Sequence, residues 1–278
     1  MDKTLKLGDM TVNRLGFGAM RITGEGIWGP PKDHDEAIRV LRRAVELGVN
    51  FIDTADAYGP EVSENLIHEA LYPYEGIVIA TKGGLTRSGP GVWTPDGTPE
   101  HIREAVQGSL KRLGLEQIYL YQFHHPDPKV PFETTLSAFF ELQKEGKVKY
   151  VGLSNVTTEQ LQTAMSMGEI TSVQNSYSVL NRESEEVLQV CEQNGIAFIP
   201  YFPIGGNTGG LNEQVLQAIA KKHDATERQI GLAWLLQHSP VMLPIAGTGS
   251  VAHLEENMKA ADIVLDADDV TRLESLAT

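Results

Sequence analysis

The chain has 278 residues, of which 41% are hydrophobic and 22% are charged, a composition typical of a soluble globular protein with a large core. Its formal net charge of −14 excludes nucleic acid and anionic membranes as favoured partners, because their phosphates would be repelled. The length suits a single α/β barrel of about 250 residues as well as two smaller domains.

Short apolar runs alternate with amphipathic segments from one end of the chain to the other. The first two, Thr4–Leu7 and Met10–Asn13, are separated only by Gly8-Asp9, which predicts a β-hairpin. The later apolar runs predict strands at residues 15–19, 50–54, 77–82, 118–124, 149–154, 172–174, 197–201 and 241–245. The amphipathic segments predict helices at residues 33–47, 63–71, 99–113, 132–144, 158–167, 183–194, 211–222, 226–237, 251–261 and 266–276.

Eight strand–helix units predict an α/β protein with a closed (β/α)8 TIM barrel, one domain spanning residues 1–278, with extra C-terminal helices. The apolar strands suit parallel strands that are buried on both faces. We expect the hairpin to plug the barrel bottom. Residues 83–97 and 205–210 are predicted to be long loops at the opposite face, where barrels place their active sites.

Nothing in the sequence predicts secretion or membrane insertion. Residues 1–9 lack the apolar core of a signal peptide, and no run reaches about 18 apolar residues. The one cysteine, Cys191, excludes an intramolecular disulfide. We therefore expect a cytoplasmic protein, and the sequence leaves its oligomeric state open.

Several familiar motifs are present only in part. Residues 16–21 begin like the dinucleotide-binding G-x-G-x-x-G, but Arg21 stands where the third glycine belongs. Residues 152–156 lack the last glycine of a nucleophile elbow. His124 and His125 are neighbours at a strand end, so they point to opposite faces and are poorly placed to chelate one ion. We predict no metal site.

Four residues of complementary chemistry lie at the ends of predicted strands two, three and four. They are Asp53, Tyr58, Lys82 and His124, and a parallel barrel brings such ends to one face. Tyr58 is expected to donate a proton, with Lys82 lowering its pKa and Asp53 holding Lys82 in place. His124 is expected to donate a hydrogen bond to a substrate oxygen. Because this set needs neither nucleophile nor metal, the electrons must come from a cofactor.

In these segments and several others the chain resembles the aldo-keto reductase family, along essentially its whole length. The resemblance is carried by FIDTADAYG (51–59), TK (81–82), YQFHHPD (121–127), VGLSN (151–155), VQN (173–175), YFPIG (201–205) and PIAGTGSVAHLEEN (244–257). It implies reduction of an aldehyde or ketone by hydride transfer from NADPH, with NADH as the alternative. It also implies that Tyr58 is the general acid and that His124 orients the carbonyl group.

The resemblance further implies a cofactor site at the same face. The implied contacts are Ser154, Asn155, Gln174 and Tyr201 for the nicotinamide, Pro203, Ile204 and Gly205 for the pyrophosphate, Gly247, Thr248, His253, Glu256 and Asn257 for the adenosine half, and in addition Met20 and Arg21. Many family members carry Lys and Arg at the positions of Gly247 and His253, beside the 2′-phosphate. Their absence weakens the expected preference for NADPH, because a phosphate is usually held by such side chains.

The substrate is expected to be a small carbonyl compound. Trp28, Trp93 and His125, in the loops after strands one, three and four, are candidate pocket residues. The segment Gly29-Pro30-Pro31 and residues 201–206 also resemble those of reductases that act on pyridoxal. Two other hypotheses stay open: a catalytically weak, nicotinamide-nucleotide-sensing subunit of a larger complex, and a barrel enzyme with different chemistry.

Overall fold

The computed structural model describes residues 3–203 and 214–276 of the chain. The chain opens with an antiparallel hairpin of Thr4–Leu7 and Met10–Asn13. Gly8, in the turn, has φ +59, a backbone region that glycine enters without steric penalty. The predicted hairpin strands are therefore present, while their role as a barrel plug stays a prediction.

A curled parallel sheet forms the barrel wall. In the described residues its strands, each paired with the next, are β1 (Phe17–Gly18), β2 (Phe51–Asp53), β3 (Val78–Gly83), β4 (Ile118–Phe123), β5 (Val148–Ser154), β6 (Ser172–Gln174) and β7 (Ala197–Phe198). The predicted strand order and direction are confirmed. The last of these strands is shorter than the predicted 197–201.

The segment predicted as an eighth strand closes the barrel without forming a regular ladder. Met242 makes a parallel bridge to Phe198, and Ile245 makes one to Gly16. The Gly16 N–H also donates to the Pro244 carbonyl at 2.9 Å. Pro244 has no N–H to donate in return, which is one physical reason why the pairing stays local. The (β/α)8 barrel is confirmed, and the predicted eighth strand at 241–245 is present only as these two bridges.

Helices cover the outside of the barrel close to their predicted positions. In the described residues they are α1 (His34–Glu46), α2 (Val62–Leu71), α3 (Pro99–Leu113), α4 (Phe132–Lys144), α5 (Thr158–Met167), α6 (Glu185–Asn194), α7 (Gln214–Lys222), α8 (Glu227–His238), α9 (Val251–Met258) and α10 (Ala267–Glu274). Helix α3 shows which sequence signals fix the start of a helix. The Thr98 hydroxyl accepts from the His101 N–H, and Pro99 takes the first helical position, where a missing N–H costs nothing. No described helix has the length and apolar character needed to cross a bilayer.

Residues 83–97, predicted as unstructured, contain a short antiparallel ribbon. Leu85–Thr86 pairs with Thr94–Pro95, so the long loop is present but is not wholly irregular. Strands of two residues are too short to show an apolar periodicity. The ribbon rises beside the C-terminal ends of the barrel strands and gives the loop after β3 a defined shape.

Candidate active site

Alternation along three neighbouring strands points polar side chains into the barrel. Phe51 packs in the interior apolar cluster, so Asp53, two residues later on β2, faces the same way. The same spacing applies on β3 to Ala80 and Lys82, and on β4 to Leu120, Gln122 and the following His124. The strands therefore deliver a carboxylate, an ammonium, an amide and an imidazole to one end of the core.

The Lys82 ammonium is the centre of the cluster and is fully buried. It donates to Asp53 Oδ2 at 2.5 Å, to the Thr54 carbonyl at 2.9 Å and to the Tyr58 phenol oxygen at 3.2 Å. These three bonds use all of its donors. Because the phenol oxygen accepts from Lys82, the proton of Tyr58 is left for another acceptor.

Asp53 is held from its other side by two amides. Its Oδ1 accepts from Gln122 Nε2 at 2.9 Å and from Gln174 Nε2 at 2.8 Å. With the ammonium on Oδ2, both carboxylate oxygens are paired, as a buried charge requires. Sequence reasoning missed Gln122, although its position two residues before His124 placed it on the same face.

Burial controls the acidity of Tyr58. It raises the pKa of the phenol above its ordinary value, and the neighbouring Lys82 charge offsets this only in part. Lys82 lowers the pKa of Tyr58 as expected, but the net shift is upward, because loss of solvation disfavours the phenolate more. Burial also acts against the Lys82 ammonium, but the Asp53 carboxylate and Tyr58 together raise the pKa of Lys82. Tyr58 is a protonated phenol at neutral pH.

His124 is neutral at the same pH. Burial, together with the charge of Lys82, holds the pKa of His124 well below its ordinary range. Its ring centroid lies 5.8 Å from that of Tyr58 with the planes 82° apart. Its Nδ1 is buried without a hydrogen-bond partner among the described residues. A neutral imidazole carries one N–H, which makes His124 a potential donor to a bound oxygen.

A cavity of about 690 Å³ opens from Tyr58 and His124 across the barrel mouth. This is the usual size of a site for a cofactor or small ligand. The cofactor residues implied by the sequence that line it are Met20, Arg21, Ser154, Asn155, Gln174, Tyr201, Pro203, Gly247 and Thr248. His253, Glu256 and Asn257 do not line it, and Ile204 and Gly205 lie outside the described residues.

Asn155 organises the middle of this cavity. Its Nδ2 donates to the His124 carbonyl and to Ser154 Oγ, both at 3.0 Å, and its Oδ1 accepts from the Tyr201 hydroxyl at 2.7 Å. Its backbone is left-handed, with φ 59, a conformation that asparagine tolerates better than most residues. One side chain thus fixes residues from the ends of three strands relative to one another.

Glycines let the backbone approach closely at the far end of the cavity. A Cβ atom on Gly247 would lie 2.4 Å from the Gly18 carbonyl oxygen, and one on Gly249 would lie 2.9 Å from the Arg21 carbonyl oxygen. The loop after the eighth segment is therefore pressed against the end of β1. Gly247, Thr248 and Gly249 thereby bring their backbone to the cavity wall, where the absence of a glycine side chain lets a ligand approach closely.

The predicted pocket residues divide into two groups. Trp93 and His125 line the cavity next to Tyr58 and His124. Trp28 does not line it and instead lies near the Arg87 guanidinium, 5.7 Å from ring centroid to Cζ. Sequence reasoning also missed Arg228, which reaches the cavity from the first turn of α8, because that contact depends on where the helix packs.

Across residues 3–203 and 214–276, no His, Cys, Asp and Glu side chains are grouped as a metal ion would need. The aldo/keto reductase family model matches residues 14–278. The chain belongs to the aldo-keto reductase family. Its members are oxidoreductases that use nicotinamide cofactors.

Individual aldo-keto reductases and related oxidoreductases resemble the chain over nearly its full length. An uncharacterised oxidoreductase of Schizosaccharomyces pombe is 52% identical over 271 residues, covering 98% of this chain and 89% of that protein. Pyridoxine 4-dehydrogenase of Escherichia coli is 42% identical over 281 residues, covering 99% and 98%. The solved structure of the thermostable aldo-keto reductase Tm1743 with the inhibitor epalrestat matches with a TM-score of 0.86 at 32% identity, covering 98% of this chain and 99% of that one.

Proposed function

We propose that the protein reduces an aldehyde or ketone to an alcohol with NADPH, using Tyr58 as the proton donor. The observation that carries the proposal is the buried chain from Asp53 through Lys82 to Tyr58, which ends at a cavity beside His124. When bound, the nicotinamide supplies a hydride to the carbonyl carbon. The remaining requirement is a proton for the carbonyl oxygen.

Each residue of the site has a defined task in that proton transfer. Tyr58 holds a proton at neutral pH and turns it toward the cavity, since its oxygen already accepts from Lys82. After the proton leaves, the Lys82 ammonium stabilises the phenolate through a charge-assisted bond. His124, neutral and lining the cavity beside Tyr58, orients the carbonyl group by donating a hydrogen bond. Asp53 keeps Lys82 charged and in position.

The cavity fits a nicotinamide dinucleotide. Its length runs from Tyr58 to the glycine-rich backbone at Gly247, and two arginines, Arg21 and Arg228, line it. A guanidinium is the side chain best suited to a phosphate. These two residues supply the positive charge that Gly247 and His253 do not, and they favour NADPH over NADH.

The substrate end favours a flat, compact carbonyl compound, since Trp93 and His125 stand beside the catalytic pair. Pyridoxal meets this description. The 42% identity to a pyridoxine 4-dehydrogenase supports it as a first candidate. We therefore include pyridoxal among the substrates to be tested.

The test is to follow reduced-nicotinamide absorbance with purified protein. NADPH and NADH are each offered with pyridoxal, 4-nitrobenzaldehyde, methylglyoxal and a simple ketone. Loss of NADPH absorbance that requires the carbonyl compound supports the proposal and ranks the substrates. Tight cofactor binding without turnover of any carbonyl would contradict it and favour a nucleotide-sensing subunit.

A further inference from the structure

The loop after β3 contains an arginine that the proposed chemistry does not use. Arg87 stacks its guanidinium on the Trp93 indole, with Cζ 3.6 Å from the ring centroid. Such a contact covers one face of the indole and leaves the other for the cavity that Trp93 lines. The ring planes of Trp93 and Tyr58 are 83° apart, with centroids at 6.3 Å.

The same guanidinium is bonded to three separate loop segments. Nη1 donates to the Ala57 carbonyl at 3.0 Å, Nη2 donates to the Gly26 carbonyl at 3.1 Å, and Nε donates to the Val92 carbonyl at 2.8 Å. Ala57 immediately precedes Tyr58, and Val92 immediately precedes Trp93. One planar group therefore fixes the proton donor and the aromatic wall relative to each other.

Only a guanidinium combines these functions. Its five N–H groups form a rigid fork, and its flat face stacks on an aromatic ring. A lysine would keep the charge but lose both the fork and the stack. The arrangement also involves Trp28, whose ring lies 5.7 Å from Arg87 on the loop after β1.

We propose that Arg87 is a positioning residue that holds Trp93 as a flat wall and thereby selects planar aromatic carbonyl compounds. A flat ring stacked on Trp93 would lie roughly perpendicular to the Tyr58 ring, in the cavity that both residues line. Offset or edge contacts between aromatic rings add about 0.5–1.5 kcal/mol beyond burial, which corresponds to roughly a two- to tenfold gain in binding. A saturated ring of similar size makes no such contact. This inference rests on the proposed function and names its substrate class.

The test compares benzaldehyde with cyclohexanecarboxaldehyde, which is similar in size but not flat. With NADPH, we expect the natural protein to favour benzaldehyde through a lower KM. Arg87→Lys and Trp93→Leu should each remove this preference by raising the KM for benzaldehyde roughly two- to tenfold. The KM for the saturated aldehyde should change less than twofold. The control is Arg103→Lys, which alters a guanidinium bonded to exposed Glu141 and Glu145. It should change the KM for neither aldehyde.

Three results would overturn the inference. The first is an equal rise in KM for both aldehydes in the variants. The second is an Arg87→Lys variant with the same two KM values as the natural protein. The third is a natural protein whose KM for benzaldehyde is no lower than that for the saturated aldehyde. Binding of benzamide and cyclohexanecarboxamide, followed by tryptophan fluorescence, separates this inference from the proposed function. If no carbonyl compound is reduced, the proposed reaction fails. Preferential benzamide binding that disappears in Arg87→Lys and Trp93→Leu would then still support Arg87 as the positioning residue.

Discussion

Lys82 donates a hydrogen bond to the phenol oxygen of Tyr58 across 3.2 Å, from a position without solvent exposure. An ammonium has only donors, so Tyr58 must accept in this pair. The phenol therefore keeps its proton for a ligand in the cavity. When that proton is lost, the same bond becomes an ion pair, which stabilises the product state more than the starting state.

Replacing Tyr58 with phenylalanine tests this directly. Tyr58→Phe removes the proton donor while keeping the ring that packs against Trp93 and His124. We expect turnover to fall by about 10²–10⁴, the usual contribution of a positioned acid. The dissociation constant for NADPH, measured by fluorescence, should stay the same. Unchanged turnover would assign the proton to another group, and His124 would be the first to examine.

The pH dependence of carbonyl reduction follows from the burial of Tyr58 and His124. Carbonyl reduction needs the protonated phenol, so the rate falls as pH rises through the pKa of Tyr58, which burial holds above its ordinary 10.0. It also needs the neutral imidazole, which is lost only as pH falls through the pKa of His124, well below the ordinary 6.5. We expect kcat/KM to be level from about pH 6.5 to 10. A break between about pH 7 and 9 would mean that Lys82 outweighs burial at Tyr58.

The buried pair of Asp53 and Lys82 should behave as one unit. Lys82→Met leaves the Asp53 carboxylate buried without its counter-charge, and we expect a loss of about 3–5 kcal/mol in the free energy of unfolding. Adding Asp53→Asn to that variant removes the orphaned charge, so the double variant should lose less than the sum of the single changes. Urea unfolding measures the free energy of unfolding of the natural protein, of each single variant and of the double variant.

A control for the pair lies on the protein surface. Arg103→Met breaks an ion pair with Glu141 whose side chains are 36% and 56% exposed, and it should cost far less stability. Fully additive losses in the Asp53 and Lys82 variants would contradict the coupling. They would instead show that the pair is solvated in the folded protein.

Sequence reasoning placed the elements well because their signals are local. The apolar residues recur at the spacing of a strand or a helix. Capping residues mark where helices begin, as Thr98 and Pro99 do at α3. The gathering of Asp53, Lys82 and His124 also followed from the sequence. Once the barrel is assumed, the ends of parallel strands must share one face.

The site features that the sequence did not predict depend on packing between distant segments. Arg228 reaches the cavity only because α8 lies beside the barrel mouth, and Arg87 joins three loops that no local pattern connects. The net direction of the Tyr58 pKa shift was missed for a related reason. A sequence shows that a charge is near, but the degree of burial, which outweighs that charge, is a property of the whole fold.

Arg228 is expected to determine the choice of cofactor. Arg228→Ala removes a guanidinium from the cavity wall, and charge-assisted hydrogen bonds are worth about 1.5–3 kcal/mol, or roughly 10- to 100-fold in binding. We expect the dissociation constant for NADPH and for 2′,5′-ADP to rise by that factor, while that for NADH changes little. Arg272→Ala, on α10, is the control. Equal weakening of NADPH and NADH would place Arg228 on the shared pyrophosphate instead.

Gly247 should tolerate no side chain, because the end of β1 and the loop after the eighth segment meet there. A Cβ atom at this position would lie 2.4 Å from the backbone oxygen of Gly18, and a backbone atom cannot rotate away as a side chain would. Gly247→Ala must push the two segments apart, which opens the barrel seam and displaces the cofactor-facing backbone. We expect a lower thermal midpoint and weaker NADPH binding. Gly89→Ala, where a Cβ meets nothing within 4 Å, should leave both unchanged. An unaltered NADPH affinity in Gly247→Ala would show that the phosphate end of the cofactor does not depend on this seam.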